Sequence, residues 1–326
     1  MSEESAIVDV LGEPWFAETI DLAPDAEGPV VTTLVGRRPA EGEAPTDRAV
    51  LHVHGFSDYF FHTEFGEWWA ERGHTMYGLD LRKYGRSMRP HQSPAYVADL
   101  EEYFADLDAA WERITRRDGH RHVVLSGHST GGLVVALWAD ARRPPELAGL
   151  LLNSPWLDLQ GPPMLRSAPV GFALEQLGRR RPMAQLGREV KGFYGRSLHR
   201  DHDGEWDFDV RWKPLDSLPI RFGWIRAVRQ GHARVQAGLR VEAPVLVLSS
   251  DRSSYPKELD ERVFSTDIVL DVRQIRRWST AIGRHVTYIA VPGAVHDVVL
   301  SRRPARARAY EAIEQWLTGF VLEPTH

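Results

Sequence analysis

Residues 122–136 decide the fold, and they read HVVLSGHSTGGLVVA. An apolar run leads directly into GHSTG at 127–131, and residues that favour a helix follow it. A G-x-S-x-G pentapeptide between a strand and a helix is the pattern of a nucleophile elbow, in which a tight turn exposes the serine. Small residues are needed two positions either side of the serine, because the turn leaves no room there for larger side chains. Ser129 is therefore the candidate nucleophile.

Patterns typical of strands and helices alternate on both sides of this stretch. Apolar runs predict strands at 15–21, 30–37, 48–54, 74–79, 122–128, 148–153, 244–249 and 286–291. Helical spacing or composition predicts helices over 98–117, 133–141, 271–283 and 305–320. This alternation indicates an α/β fold with a mostly parallel sheet that helices cover on both faces.

Residues 155–240 interrupt the alternation. They are rich in Pro, Gly, Arg and Trp, and they contain no run typical of a buried strand. They carry 15 basic and 9 acidic residues, whereas the whole chain has a net charge of −5. We predict that residues 155–240 are an insertion that forms a cap, or lid, over a core made of residues 1–154 and 241–326.

Composition excludes several classes of protein. The 326 residues include no cysteine, which excludes a disulfide scaffold, a thiolate metal site and a cysteine nucleophile. The net charge of −5 gives no electrostatic case for nucleic acid as a partner. The first residues, MSEESAIVDV, lack the basic start and apolar centre of a signal peptide, and no 18-residue apolar run follows. We therefore expect a cytoplasmic protein without stable insertion in a membrane.

A serine hydroxyl needs a base to remove its proton, and His296 is the best placed of the 14 histidines. It lies in VPGAVHD at 291–297, between the last predicted strand and the last predicted helix. That position is at the carboxyl edge of the sheet, where Ser129 is also expected. His128 is adjacent to the serine in sequence, where side chains diverge, so we interpret it as a packing residue.

The acid that orients the histidine should follow the strand at 244–249, since the order in this architecture is Ser, then Asp or Glu, then His. The candidates after that strand are Asp251, Asp260, Asp267 and Asp271. Asp251 is nearest to the strand, and Asp271 is placed to cap the next helix. Spacing alone leaves the choice open.

Two backbone N–H groups should stabilise the oxyanion that forms when a serine attacks a carbonyl. One is the N–H of Thr130, directly after the nucleophile. The other is the N–H of Phe56, because Gly55 lets the chain turn sharply after the strand at 48–54.

These motifs together resemble the α/β-hydrolase superfamily, and within it the group of monoglyceride lipases, lysophospholipases and serine-aminopeptidase-like enzymes. The resemblance covers the chain in order and rests on HGF at 54–56, GLDLR at 78–82, GRS at 85–87, the elbow, and Pro292-Gly293 before His296. It implies an eight-stranded sheet, a cap between strands six and seven, and a Ser–Asp–His triad. It is weakest in residues 155–240.

The resemblance also implies which aspartate is the acid. The family commonly places it in a D-x-x-x-D element, and Asp267 to Asp271 has that spacing, so Asp267 is preferred. The interval from 251 to 266 is longer than is usual in the family, which keeps Asp251 as the alternative acid. Asp80 and Arg82 are interpreted as an internal ion pair rather than as catalytic groups.

The predicted cap contains aromatic residues and a cluster of polar ones. Trp206, Trp212 and Trp224 are candidates for lining an apolar substrate pocket, although aromatic residues in a small cap more often form its own core. The run at 199–205 contains histidines and acids, but its glycine is misplaced for a calcium loop of the EF-hand type. We expect no metal and no other cofactor.

The sequence thus predicts a serine hydrolase that cleaves carboxylic esters, of the monoacylglycerol or lysophospholipid type, with a small molecule as its partner. Three alternatives stay open: an acyltransferase or perhydrolase with the same triad, an amide hydrolase, and a non-hydrolytic binding protein on this fold. Acyl length, head group and oligomeric state do not follow from the sequence.

Overall fold

A nine-stranded sheet forms the centre of the computed structural model, which describes residues 6–187 and 191–322. The strands are β1 (Ala6–Val8), β2 (Trp15–Asp25), β3 (Gly28–Arg37), β4 (Arg48–Val53), β5 (Thr75–Asp80), β6 (His122–His128), β7 (Leu147–Asn153), β8 (Val245–Ser250) and β9 (Val286–Val291). Their order across the sheet is β1-β2-β3-β5-β4-β6-β7-β8-β9. The predicted mostly parallel sheet is confirmed.

The sheet has one strand more than the eight that the family resemblance implies. The additional strand is β1, which pairs antiparallel with β2. The pairs β2–β3 and β3–β5 are also antiparallel, and the strands from β5 to β9 in the sheet order pair in parallel. All the parallel strands therefore end at one edge of the sheet, where their following loops meet.

Eight α-helices are present in the described ranges. They are α1 (Thr63–Ala70), α2 (Phe104–Glu112), α3 (Thr130–Arg142), α4 (Ala168–Arg180), α5 (Phe193–Leu198), α6 (Phe222–Gln236), α7 (Val272–Ser279) and α8 (Arg303–Trp316). A 3₁₀ turn at Leu100–Tyr103 and a π turn at Arg113–Arg117 extend α2 over most of the predicted helix 98–117. The predicted helix 271–283 ends early, at Ser279.

The central strands are buried on both faces, which explains their continuous apolar runs. Consecutive residues point to opposite faces, so Val50 and Val124 pack in one cluster while Leu51 and Leu125 pack in the other. Residues of α1 and α8 belong to the first cluster, and residues of α2, α3, α6 and α7 belong to the second. Each fully buried side chain of this kind contributes about 1.5–3 kcal/mol to folding.

The chain between β7 and β8, residues 155–240, contributes α4, α5 and α6 and, in its described part, no strand of the sheet. We call this segment the insertion. Its α6 contacts α3 of the core. None of the helices in the described ranges has the length and apolarity that crossing a membrane requires.

The predicted ion pair between Asp80 and Arg82 is not the pairing found. Asp80 pairs with Arg86, 2.8 Å away, and Arg82 pairs with Asp106 of α2, 2.7 Å away. The chain turns after β5, with Lys83 at a φ of 63°, and this turn brings Arg86 back to Asp80. Both pairs are buried, so their role is structural.

We predict that Arg86→Leu strongly destabilises the protein. Arg86 also pairs with the buried Asp9 at 2.6 Å, so its loss leaves two buried carboxylates without a counter-charge. Such a loss costs about 3–5 kcal/mol. The control is Arg142→Leu, which removes an exposed pair with Asp108 and should cost less than about 1 kcal/mol. Urea denaturation measures both, and equal losses would contradict this prediction.

We also predict that His232 contributes to acid sensitivity. Burial lowers the pKa of His232, which lies edge-on to Trp156, to about 3. As the pH falls, this histidine is therefore protonated first in the unfolded state. Its contribution to the free energy of unfolding is complete above pH 6.5 and decreases below that pH by about 1.4 kcal/mol per pH unit. In His232→Leu the free energy of unfolding should decline less steeply between pH 6 and 4 than in the wild type. The exposed His122→Gln is the control, and equal slopes for all three proteins would refute the assignment.

Candidate active site

Ser129 lies at a sharp turn between β6 and α3. Its backbone angles are φ 50° and ψ −115°, a conformation that residues with a side chain rarely adopt. Its N–H donates to the carbonyl of Asn153 at 2.9 Å, and its carbonyl accepts from the N–H of Trp156 at 3.0 Å. These bonds hold the strained turn that the sequence motif predicts.

The glycines of the motif are required by the contacts around the turn. A Cβ on Gly131 would lie 2.2 Å from the backbone oxygen of His54, and one on Gly127 would lie 2.6 Å from Val135. Carbon atoms cannot approach backbone oxygen so closely. The turn therefore packs directly against the end of β4.

His296 lies in the loop after β9, and its Nδ1 donates to Oδ2 of Asp267 at 2.9 Å. Oδ1 of Asp267 accepts the backbone N–H groups of Val269 and Leu270, both at 2.8 Å. Both oxygens of this fully buried carboxylate are thus satisfied, and the imidazole ring has a fixed orientation. With Nδ1 protonated, Nε2 of His296 is free to accept a proton.

Asp251, the alternative acid, has a different environment. Its side chain is exposed, and its Oδ1 accepts the N–H of Gly293 at 3.3 Å. The long interval after it forms a 3₁₀ turn at Glu261–Phe264 before the chain reaches Asp267. Of the two aspartates, the structure brings Asp267 to His296.

Ser129 and His296 line one cavity of about 330 Å³. Within residues 6–187 and 191–322 the two side chains do not form a hydrogen bond with each other. A long nucleophile–base distance is common before substrate binds, because these bonds tighten in the reacting complex. The cavity is where a substrate would meet both groups.

The two predicted oxyanion donors border the same cavity. Thr130 opens α3, and the N–H groups of a first helical turn have no partner within the helix. Phe56 follows Gly55, where a Cβ would lie 2.9 Å from the ring of His128. The next residue, Ser57, has a φ of 56° and accepts the N–H of Leu218 from the insertion at 2.9 Å.

The cavity wall is mainly apolar and aromatic. Its apolar side chains come from both the core and the insertion: Phe56, Trp156, Phe193, Pro214, Leu215, Ile220, Trp224, Pro256, Ile268, Val269 and Leu270. Of the three predicted tryptophans, Trp224 lines the cavity and packs against Phe56, with ring centres 4.3 Å apart. In the described part of the chain, Trp206 and Trp212 are not in this wall.

Trp206 and Trp212 instead contribute to a small apolar cluster between the insertion and the core. The indole N–H of Trp206 donates to the carbonyl of Leu300 at 2.7 Å, and Trp212 meets Tyr59 edge-on. Both tryptophans therefore lie outside the cavity that Ser129 and His296 line, and they pack where the insertion meets the core.

Eight cavity residues carry polar groups that sequence reasoning did not identify: Ser57, Asp58, Gln160, Lys191, Tyr194, Lys213, Ser217 and Tyr255. Lys213 Nζ lies 2.8 Å from Asp58 Oδ1, so a buried ion pair joins the insertion to the loop after β4. The hydroxyl of Tyr194 accepts the N–H of Asp297 at 3.0 Å. Tyr194 and Lys213 belong to the insertion, where the sequence has no motif that would have marked them.

Asp58, His128 and Asp297 place potential metal ligands within 4.8 Å of one another. Their chemistry fits a hydrogen-bonded network better than a cation site. Lys213 already neutralises Asp58, and Asp297 accepts from Nε2 of His62 at 3.0 Å and from Nδ2 of Asn153 at 2.6 Å. In the run at 199–205, both ring nitrogens of His199 are engaged with backbone groups.

His128 is buried against the catalytic candidates but is suited to packing. Burial lowers its pKa to about 4, so its ring is neutral at pH 7. Its Nδ1 faces the carbonyl of Asn153 at 3.2 Å, and its ring centre lies 4.8 Å from that of His296. It supports the ring of His296 from the side.

Comparison with known proteins identifies a family. A family model described as serine aminopeptidase, S33, matches residues 44–303. Phospholipase YtpA of Bacillus subtilis (strain 168) is 31% identical over 112 residues, which are 34% of this chain and 41% of the phospholipase. The chain thus matches less than half the length of that relative.

Solved structures share the fold over nearly the whole chain. A soluble variant of monoglyceride lipase from Saccharomyces cerevisiae, in complex with a substrate analog, has a TM-score of 0.66 and 18% identity over 92% of this chain and 94% of that one. The monoacylglycerol lipase of Paleococcus ferrophilus has a TM-score of 0.61 and 22% identity over 84% of this chain and 95% of that one. The α/β-hydrolase fold is thereby established.

The contacts of the turn predict the effect of Gly131→Ala. The added Cβ must displace either the turn or the end of β4, because the atoms it meets are backbone. Overpacking of this kind costs about 1–3 kcal/mol, and it should also slow any reaction of Ser129. Thermal unfolding and labelling by a fluorophosphonate measure the two effects. Gly319→Ala is the control because its Cβ would meet open space, and a Gly131→Ala protein indistinguishable from it would refute the prediction.

Proposed function

The chain belongs to the serine aminopeptidase S33 family of hydrolases, and from that premise we propose that it is a serine hydrolase of carboxylic esters. One observation carries the proposal: a strained serine and a histidine held by a buried carboxylate line the same cavity. No cofactor is needed for this chemistry.

In the proposed reaction, Ser129 Oγ attacks the ester carbonyl while Nε2 of His296 takes the hydroxyl proton. Asp267 holds the other ring nitrogen and stabilises the imidazolium that forms. The N–H groups of Phe56 and Thr130 donate to the oxyanion. His296 then protonates the leaving alcohol. In the second half-reaction His296 takes a proton from the water that attacks the acyl-enzyme and gives it to Ser129 Oγ as the carboxylic acid leaves.

The chemistry of the cavity favours esters over peptides with a free amino end. Binding an N-terminal ammonium would require a carboxylate without a partner. Among the described residues that line the cavity, Asp58 is the one acid, and Lys213 already neutralises it. Neutral or anionic substrates suit such a cavity better than cationic ones.

The apolar wall supports a lipid-like acyl group. Phe56, Trp156 and Trp224 form a continuous aromatic surface, with neighbouring ring centres 4.3 and 5.8 Å apart. An acyl chain would be removed from water there, with about 0.8 kcal/mol gained per buried CH₂. The names of the similar proteins, a phospholipase and two monoacylglycerol lipases, are consistent with this substrate class.

We further propose that the insertion acts as a cap on this site. Trp156, Tyr194, Lys213 and Trp224 are residues of the insertion that line the cavity together with Ser129 and His296. The acyl pocket would then be built jointly by core and cap, and sequence changes in the cap would alter acyl preference.

Labelling and kinetics test the proposal together. A fluorophosphonate should form an adduct at Ser129, and p-nitrophenyl esters should be turned over in the wild type but not in Ser129→Ala. Asp267→Asn should lower kcat by about 10⁴-fold, because it favours the wrong tautomer of His296. Asp251→Asn is the matched control and should retain wild-type kcat.

Several results would overturn parts of this proposal. An intact, folded protein that is not labelled is not a serine hydrolase acting through Ser129. A larger loss in Asp251→Asn than in Asp267→Asn would reassign the acid. Faster turnover of aminoacyl p-nitroanilides than of esters would assign amide hydrolysis, and acyl transfer to added alcohol or peroxide in preference to water would assign a transferase or perhydrolase.

A further inference from the structure

Asn153 is the last residue of β7, and its backbone holds the nucleophile turn. Its carbonyl accepts the N–H of Ser129 at 2.9 Å and faces Nδ1 of the neighbouring His128 at 3.2 Å. β7 is the direct neighbour of β6, so this contact continues the hydrogen bonding of the sheet into the turn. The position of Ser129 is thereby tied to the end of β7.

The side chain of the same residue holds the loop that carries His296. Its Nδ2 donates to Oδ1 of Asp297 at 2.6 Å, and its Oδ1 accepts the N–H of Val298 at 3.0 Å. Asp297 and Val298 directly follow His296 in sequence. Asn153 is buried, so these two bonds are made without competition from solvent.

Asp297 is a strong acceptor for this contact. Burial alone would raise its pKa, but the neighbouring His128 and the hydrogen bond from His62 outweigh burial and hold the pKa well below its usual range. The carboxylate therefore stays ionised, and hydrogen bonds to an ionised group are about twice as strong as those between neutral groups.

We propose that Asn153 is a positioning residue that sets the separation of the nucleophile and the base. It binds Ser129 through its backbone and the loop of His296 through its side chain, so one rigid strand end fixes both. This inference rests on the proposed function, since it assigns Asn153 a part in the reaction of Ser129 with His296.

The amide is suited to this role because it is both a donor and an acceptor. An aspartate at 153 would still accept the N–H of Val298, but it would place a second carboxylate against Asp297. Two carboxylates in contact repel each other when both are ionised. Asn153→Asp should therefore push the loop of His296 away from Ser129 while changing little in shape.

The rate of fluorophosphonate labelling tests this role. Asn153→Asp should slow acylation of Ser129 by about 100-fold, the size expected for a displacement of about 1 Å between reacting groups. The double variant Asn153→Asp with Asp297→Asn restores the hydrogen bond with donor and acceptor exchanged. It should therefore recover most of the labelling rate.

Tyr77→Phe is the matched control. It deletes the hydrogen bonds of the Tyr77 hydroxyl with Asp118 and His120, next to the start of β6 and at the opposite edge of the sheet. Its labelling rate per folded molecule should equal that of the wild type. Equal slowing of labelling in Tyr77→Phe and Asn153→Asp would mean general destabilisation and would overturn the positioning role. A labelling rate that stays low in the double variant Asn153→Asp with Asp297→Asn would overturn it as well.

Hydrogen exchange provides a readout that does not depend on activity. Amides of residues 294–301 should exchange faster in Asn153→Asp than in the wild type or Tyr77→Phe, and exchange should slow again in the double variant. A wild-type protein that is not labelled refutes the proposed function, while the exchange result still decides whether Asn153 holds this loop. Unchanged exchange and unchanged labelling in Asn153→Asp overturn the inference and leave the proposed function standing.

Discussion

The backbone of Ser129 is held at a φ of 50°, a conformation that costs on the order of 1–3 kcal/mol for a residue with a side chain. The strain persists because the surroundings leave the turn no alternative. Its N–H and its carbonyl are bonded to Asn153 and Trp156, and Gly131 lies directly against the end of β4. Relaxing the turn would break bonds to β7 and separate α3 from the sheet. The arrangement of the candidate site therefore depends on the parallel strands that surround this turn.

Much of this arrangement follows from the sequence because parallel strands end at one edge. Once the strands at 122–128 and 286–291 are recognised, Ser129 and His296 must lie at the same edge, and the structure places both there. The identity of the acid does not follow from this argument, since four aspartates follow β8 and spacing alone leaves the choice open. The family pattern indicates Asp267. In the structure Asp267 bonds to His296, whereas Asp251 is exposed and the buried Asp271 pairs with Arg273.

What the sequence did not predict depends on contacts between distant parts of the chain. Asp80 and Arg82 are near in sequence, but a turn at Lys83 gives each a different partner. Trp206 and Trp212 are of a residue type that suits a lipid pocket, yet their side chains pack in the cluster between the insertion and the core. Asn153 belongs to no motif. Its side-chain contacts are with Asp297 and Val298, more than 140 residues away, so no local pattern could indicate them.

The insertion is attached to the core by contacts with residues next to Phe56 and His296. Lys213 pairs with Asp58, Leu218 bonds to Ser57, and Tyr194 accepts the N–H of Asp297. Ser57 directly follows Phe56, the proposed oxyanion donor, and its φ of 56° is itself a strained conformation. An N–H group can stabilise an oxyanion only if it is oriented before the reaction. Moving the stretch from 194 to 218 away from the core would therefore break the contacts that hold the loop carrying Phe56.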